Sequence, residues 1–451
     1  MISIKKFFKE NPVDLYLLIG FVFSLFHYTL AWVFFASMVY FVVKRDSISI
    51  IKCMMLFLIR TTSMNRIISS SLESITGIRY FVLLFFAFNL LIINWKVIVQ
   101  NNILKRIIFL GMCFYIEIIV SAFNYGSYPI VSLMKASLFF LITFALIASL
   151  VKTAEDFDWV KYLKYMFLVF FALSFLTIPF MVFRTRNGHA FQGIFDHPNN
   201  FAIYASLMVA LLCTPKFFKT NINVLLIICV LFMQYISECR TGLFASLIII
   251  VIALLYQNKF EKNIKTCLIT LLFVLNILLF VPGLGSKVYQ KAQKFTAKGY
   301  EDNLLYSRRH QIERFYEKIN YSPIFGAGFM ATHNENFKTY SPRMDLYIED
   351  GNVFLVTLGD TGIVGSVLMF MFYFSIYRYG NKKYAHLFAT PFVISSGEMV
   401  FFSPNSLGFF FPILFGIFLE KSKLFSMRDG KPAGTNFPGK RLKKYLGTLC
   451  N

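Results

Sequence analysis

Charged residues are scarce in this chain. Only 15% of its 451 residues are Asp, Glu, Lys or Arg, whereas 57% are hydrophobic. Soluble globular domains carry about 25% charged residues and do not gather their apolar residues into long blocks. Here the apolar residues do form long blocks, so the composition excludes an ordinary soluble enzyme and indicates a polytopic membrane protein.

The chain also lacks the patterns of several other protein classes. Its 7 cysteines show neither the spacing of a metal site nor a disulfide framework. The basic start MISIKKFFKENP is followed by an apolar block without a small-residue cleavage site, so we expect a retained span or hairpin. No basic module with interleaved aromatic residues stands apart from the apolar blocks, and we expect no nucleic-acid partner.

Acidic residues are outnumbered by basic ones. The chain has 45 Lys and Arg against 23 Asp and Glu, a formal net charge of +22. Most of the excess lies between the apolar blocks. An excess of Lys and Arg marks cytoplasmic loops, and it favours contact with a lipid bilayer and with phosphate-bearing ligands.

The apolar blocks predict an all-α, polytopic integral membrane protein with 12 transmembrane helices. A span needs about 20 residues. The number rises to 14 if the first block is a hairpin broken near His27-Tyr28 and if residues 48–60 form a further span. The blocks are 14–43, 79–95, 103–122, 130–150, 163–183, 199–213, 222–237, 241–256, 264–282, 353–377, 384–402 and 405–420.

The basic loops predict the orientation of these spans. Four short loops and the tail are rich in Lys and Arg and are assigned to the cytoplasm, which places the intervening loops outside. The basic loops are 96–106, 214–221, 257–265, 378–383 and the tail after Lys421. The outer loops are 123–129, 184–199, 237–241 and a long segment, 283–352. The basic residues at 44–46 would also fall outside if the first block were one span, which favours a hairpin there.

This pattern divides the chain into four parts. We expect an N-terminal transmembrane bundle over 1–282, a large and partly helical outer loop over 283–352, and C-terminal transmembrane helices over 353–420. The last part, 421–451, is expected to be a basic cytoplasmic tail.

Three polar clusters lie in loops assigned to the outer side. The positive-inside rule places Lys and Arg in cytoplasmic loops, so it does not account for arginine in these outer loops. Arg240, in the string QYISECRTGLF, is one of them. Arg240 has two possible roles. It is either a structural charge, which extends its side chain to the membrane surface or pairs with Glu238, or it is a fixed cation that binds phosphate. Arginine suits the second role because its guanidinium is always charged and binds phosphate oxygens in a fork. Thr241-Gly242 would then suit a helix N-terminus, where free N–H groups favour anions.

Several strings resemble the signatures of the O-antigen ligase and O-antigen polymerase superfamily. SECRTGLFASL resembles the arginine signature at the start of a span, and SRRHQIERFYEKINYSPIFGAGF resembles an arginine and short helix followed by P-x-x-G-x-G. DGNVFLVTLGDTGIVGSVLMF resembles the third signature, and HPNNFA a shorter element before another span. They occur in the family order over about residues 190–375.

The resemblance implies a bacterial inner-membrane glycosyltransferase with its active site facing the periplasm. Its substrates would be oligosaccharides linked to undecaprenyl diphosphate. Arg240 would hold the diphosphate, and either Arg308 or Arg309 would reach it from the outer loop. The remaining substrate-binding candidates are Arg184, Arg186, His197, Asn199 and Asn352. Arg184 and Arg186 would otherwise anchor at lipid headgroups, and His197 would otherwise be structural.

One signature position departs from the ligase pattern. Ligases carry a histidine just before the asparagine of the third signature, and here that position is Gly351, followed by Asn352. The missing histidine favours a polymerase. Asp350 then becomes the candidate base that removes the proton of the acceptor hydroxyl. The alternative is that Asp350 caps the helix that starts near Asn352.

We therefore expect an O-antigen polymerase that joins lipid-linked repeat units. A ligase that transfers polymer to lipid A-core is the alternative within the enzyme class, and a lipid-linked oligosaccharide flippase or transporter is the alternative outside it. No metal and no cofactor are expected, because two arginines would stabilise the leaving diphosphate and no D-x-D site for a nucleotide sugar is expected. A chain-length regulator and a flippase are candidate partners.

Overall fold

The structure is a computed structural model. It describes residues 12–62, 72, 76–126, 129–177, 190–214, 220–256, 309–329, 352–398 and 400–422. This part of the chain forms 14 α-helices and two short 3-10 helices, Lys382–Tyr384 and Leu407–Phe409. The α-helices are α1 (Pro12–Phe26), α2 (Tyr28–Val43), α3 (Ser47–Thr62), α4 (Thr76–Gln100), α5 (Asn102–Tyr125), α6 (Pro129–Lys152), α7 (Trp159–Leu176), α8 (Pro198–Leu212), α9 (Thr220–Ile236), α10 (Arg240–Tyr256), α11 (Arg309–Tyr321), α12 (Val353–Tyr379), α13 (Ala385–Ser395) and α14 (Phe410–Glu420).

Many of these helices have the length and composition of membrane spans. Among the described residues, 5 helices are long and apolar enough to cross a membrane: α4, α5, α6, α7 and α12. Six shorter apolar helices, α1, α2, α8, α9, α10 and α14, accompany them. The chain is therefore a multi-pass membrane protein, as its hydropathy pattern predicted.

The predicted break near His27-Tyr28 is present. His27 has an extended backbone (φ −149°, ψ 144°), and its Nδ1 accepts the Thr29 N–H at 3.2 Å, which caps α2. The chain then reverses, so that the rings of Tyr16 and Phe41 lie 6.2 Å apart. Residues 49–60 are all buried within α3, where Lys52 pairs with Asp14 at 2.6 Å. Both ambiguous segments of the first 62 residues thus form separate helices.

The last two predicted spans differ from the expectation. Block 384–402 forms only the 11-residue helix α13, and block 405–420 forms the 11-residue helix α14. Eleven residues rise about 16 Å, about half of a hydrocarbon core. Every residue of α14 is buried, so block 405–420 is apolar because protein surrounds it, whereas α13 is buried at 7 of its 11 residues. Block 264–282 and most of 283–352 lie outside the described residues.

The loops that connect the described helices lie at two opposite ends of the bundle. At one end, Asn199 contacts Glu398, and Asn405 contacts Tyr80; we call this the site end. At the opposite end, Lys164 Nζ donates to the Thr214 carbonyl at 3.0 Å. Contacts of Lys421 with Asp158 and of Asn381 with the Lys421 carbonyl also lie there. These two sets match the alternation that the Lys and Arg pattern predicted.

A buried glutamine joins α8, α9 and α10 below the site end. Gln234 Nε2 on α9 donates to the Ala202 carbonyl and to Ser206 Oγ on α8, both at 3.0 Å. Gly242 on α10 packs so closely that an added Cβ would lie 2.5 Å from Ala202 Cβ. These contacts fix where α8 and α10 begin relative to each other.

Candidate active site

The Arg240 string forms a tight turn between two antiparallel helices. α9 ends at Ile236 and α10 begins at Arg240, with residues 237–239 between them. Glu238 adopts a positive φ of 56°, which closes the turn. Arg240 is half-buried in the first turn of α10. The helical hairpin expected for QYISECRTGLF is therefore present, with Arg240 at its site end.

A buried carboxylate that the sequence reasoning missed contacts this turn. Glu398, in the connection between α13 and α14, is 9% exposed. Its Oε1 accepts the Thr241 hydroxyl, and its Oε2 accepts Asn199 Nδ2 at 3.2 Å. The Cys239 thiol also points to Oε1, at 3.7 Å. One side chain thus joins the arginine signature to the HPNN element.

The Cys239 thiol is a donor here and not a nucleophile. Burial, together with the negative charge of Glu398, raises the pKa of Cys239 to about 12. The thiol therefore stays protonated at neutral pH. A covalent mechanism through this cysteine is disfavoured.

His197 and Asn199 occupy the first turn of α8. The His197 backbone is extended (φ −146°, ψ 146°), and its Nδ1 accepts the Asn199 N–H at 3.1 Å, while Pro198 fills the first helical position. This arrangement is an N-cap. The structure thus gives His197 a structural role and places the Asn199 side chain on Glu398.

Asn352 caps α12. Its Oδ1 accepts the N–H groups of Phe354 at 3.0 Å and Leu355 at 3.2 Å. Its Nδ2 lies 3.4 Å from the Ser396 carbonyl, in the same connection as Glu398. The capping role considered for Asp350 therefore belongs to Asn352, because the cap must sit directly before the first helical residue.

Three helix N-termini meet at the 396–398 turn through these contacts. Asn199 of α8 and Thr241 of α10 bond to Glu398, and Asn352, which caps α12, lies against the Ser396 carbonyl. Each of these residues is at the start of its helix. A helix N-terminus carries free N–H groups and a partial positive charge of about half a unit. His197 and Asn352 already accept N–H groups of α8 and α12, so the three ends would attract an anion through their partial positive charge and the Arg240 guanidinium, next to the Glu398 carboxylate.

The other two signatures pack against each other through their backbones. The turn after α11 donates from Ala327 N to the Gly359 carbonyl and from Gly328 N to the Asp360 carbonyl, both at 3.0 Å. In return, Ile363 N donates to the Pro323 carbonyl at 3.0 Å. α12 is broken at Gly362 (φ 63°, ψ −163°) to make this possible. The glycines of P-x-x-G-x-G and of the following span are therefore architectural.

A further arginine at the site end went unnoticed in the sequence. Arg79, in the first turn of α4, hydrogen-bonds to the Tyr80 side chain and lies near the Asp196 carboxylate. Tyr80 in turn accepts Asn405 Nδ2 at 2.9 Å. Arg79 and Arg240 thus flank the connection that carries both Glu398 and Asn405. The positive-inside argument used for Arg240 applies equally to Arg79, which begins the block 79–95.

Several predicted residues are not tested by these contacts. Arg309 is the first residue of α11. Arg184, Arg186, Arg308 and Asp350 lie outside the described residues. Their roles remain predictions.

The possibility of a metal site was considered for the part of the chain that the structure describes. Within the described ranges, no group of three or more His, Cys, Asp or Glu side chains is arranged to hold a metal ion. The sequence does contain one D-x-D, Asp156-Phe157-Asp158, contrary to our expectation. It lies at the opposite end, where Asp158 caps α7 by accepting the Lys161 N–H.

The helices define a multi-pass membrane protein, and three of their N-termini converge at one polar end. Residues 224–390 match the family model described as O-Antigen ligase. The match covers the Arg240 turn, α11 and α12, and less than half of the chain. This segment is similar to an O-antigen ligase/polymerase family domain, and the enzymes of that family transfer lipid-linked sugar chains. No curated protein matches the chain.

Proposed function

We propose that this protein is an O-antigen polymerase of the bacterial inner membrane. It joins oligosaccharide repeat units carried on undecaprenyl diphosphate, and its site end faces the periplasm. The supporting observation is the meeting of three helix N-termini with Arg240 around the 396–398 turn. A diphosphate is the part of such a donor that this arrangement suits best.

The reaction is a substitution at C1 of the donor sugar. An acceptor hydroxyl oxygen bonds to C1 and loses its proton to a base, while the C1–O bond to the diphosphate breaks. The diphosphate leaves with the bonding electron pair. Arg240, aided by Arg309 or Arg308 from the outer loop, stabilises the charge that develops on it. Asp350 is the base that the sequence suggests.

Polymer transfer to lipid A-core is the second candidate function. It is favoured by the description of the matched family, O-Antigen ligase. The absence of a histidine at Gly351 favours polymerisation. Transport is disfavoured, because the family domain is that of a transferase. A flippase and a chain-length regulator remain proposed partners.

Deletion and complementation test this proposal. The gene is deleted, and the host is complemented with wild type, Arg240→Ala, Arg240→Lys or Arg106→Ala. Arg106 is an exposed arginine at the opposite end, bonded to Tyr379 Oη at 3.2 Å, and serves as the matched control. Surface-polysaccharide ladders and membrane protein levels are measured for each strain.

A polymerase leaves a lipid core with a single repeat unit when it is deleted. We expect Arg240→Ala not to restore the ladder, Arg240→Lys to restore part of it, and Arg106→Ala to restore all of it. If deletion instead removes every repeat unit while lipid-linked polymer accumulates, the protein is a ligase. A normal ladder with Arg240→Ala would refute the diphosphate role.

A further inference from the structure

We propose that Glu398 is the base that accepts the proton of the acceptor hydroxyl. This assignment rests on the proposed glycosyl transfer and replaces Asp350 in that role. Glu398 lies beyond the matched family segment, which ends at residue 390. Its place at the site end follows from tertiary contacts alone.

The position of Glu398 is fixed by groups that belong to the proposed donor site. Thr241 directly follows Arg240, so the residue that bonds Glu398 is one Cα step, about 3.8 Å, from the residue that binds the diphosphate. Asn199 holds the second carboxylate oxygen from the first turn of α8. Both oxygens are thereby oriented from two helices, and an oriented group loses little entropy in the reaction.

Two other acidic groups among the described residues of the site end suit the role less well. Glu238 is exposed on the outer side of its turn. Asp196 is also exposed, accepts Asn200 Nδ2 at 2.7 Å, and lies near the charge of Arg79. Glu398 is buried next to the arginine signature. A carboxylate beside the substrate, and shielded from bulk water, is the better placed proton acceptor.

The proton balance of the step is simple. The acceptor O–H bond breaks, its proton goes to a Glu398 carboxylate oxygen, and the oxygen lone pair forms the new bond to C1. The departing diphosphate takes the electron pair of the old C1–O bond. Glu398 then returns its proton to water or to the released diphosphate, so no further reactant is needed.

Two substitutions separate a base from a structural anchor. Glu398→Gln keeps the length and volume of the side chain, but it replaces one acceptor oxygen with an amide donor and cannot take a proton. Glu398→Asp keeps the base but shortens the side chain. We expect polymer formation to fall about 10²-fold or more in Glu398→Gln, the usual contribution of a general base, and to fall less in Glu398→Asp. A purely structural role predicts instead that polymer formation falls only in step with the melting temperature of each variant, so the melting temperature without ligand is measured for both.

The assay uses purified protein in detergent with lipid-linked repeat units extracted from the deletion strain. Polymer is measured on gels, and undecaprenyl diphosphate serves as the probe of donor binding through its effect on the melting temperature. Glu238→Gln is the matched control, an exposed carboxylate on the same turn. We expect Glu398→Gln to be stabilised by the probe as wild type is, and Glu238→Gln to make polymer at the wild-type rate.

Each other outcome overturns the proposal. It fails if Glu398→Gln is as active as Glu398→Asp, or if the Gln variant also loses the response to undecaprenyl diphosphate. It fails as well if Asp350→Asn abolishes polymer while Glu398→Gln does not. If wild type neither responds to the probe nor makes polymer, the proposed function fails and the base assignment fails with it.

Discussion

The Lys318 amine lies 2.6 Å from a carboxylate oxygen of Asp360, and the two side chains are only 6% and 1% exposed. Lys318 belongs to α11 and Asp360 to α12, just before the break at Gly362. The carbonyl of Asp360 also accepts the Ser121 hydroxyl of α5 at 3.1 Å. This ion pair therefore holds the outer helix, the broken span and α5 together.

Loss of one partner of this pair should destabilise the protein. Leaving a buried charge without its counter-ion costs about 3–5 kcal/mol. We expect Lys318→Met and Asp360→Asn each to lower the melting temperature in detergent, and the double variant to recover much of the loss. Lys105→Met, at an exposed position of α5, is the control. Single variants as stable as wild type would show that the pair contributes little.

Glycine is required at two positions where the outer turn meets α12. A Cβ on Gly326 would lie 2.3 Å from the Asp360 carbonyl, and one on Gly362 would lie 2.3 Å from the Ile324 carbonyl. Both residues have positive φ, 76° and 63°. Such backbone conformations cost other residues about 1–3 kcal/mol each, before any clash.

We accordingly expect Gly326→Ala and Gly362→Ala to reduce the yield of folded protein on gel filtration. Gly359→Ala is the matched control, because its Cβ would meet nothing closer than 3.4 Å. Equal yields for all three variants would contradict this account of the signature glycines.

His197 should be replaceable by another capping residue. Its Nδ1 caps α8, and loss of an N-cap costs about 1 kcal/mol. We expect His197→Ala to lower the melting temperature and His197→Asn to restore it, with polymer formation retained in the Asn variant. A stable but inactive His197→Asn would instead support the substrate-binding role predicted from the sequence.

Arg79 should matter for activity more than for folding. It lies in the first turn of α4 beside the 396–409 connection, whose Asn405 bonds Tyr80. A second cation at this end would raise the local concentration of an anionic donor. We expect Arg79→Ala to lower polymer formation at least about tenfold, the effect of losing about 1.4 kcal/mol of interaction, and Arg79→Lys to lower it less.

The measurement is polymer formed at several donor concentrations, with membrane protein level as the check on folding. Arg106→Ala again provides the comparison from the opposite end. Full activity in Arg79→Ala would show that Arg79 does not act on the donor and serves only as an anchor near the bilayer surface.

The local features of the fold were predictable from the sequence because hydropathy and loop charge act over short stretches. The break at His27, the tight turn before Arg240 and the alternation of loops between two ends all follow from residues within about one helix length. The same signal misjudged α13 and α14, because apolar residues look alike whether lipid or protein surrounds them. Their burial depends on the neighbouring helices.

The sequence by itself determined that this is a multi-pass helical membrane protein with arginine at one end of its bundle. Tertiary structure alone decided which side chains meet there. Glu398 lies 199 positions from Asn199 and 157 from Thr241, and Asn405 lies 325 from Tyr80. No periodicity or short motif reports such distant pairs, because helix packing brings them together. The candidate base therefore became visible only in the folded chain.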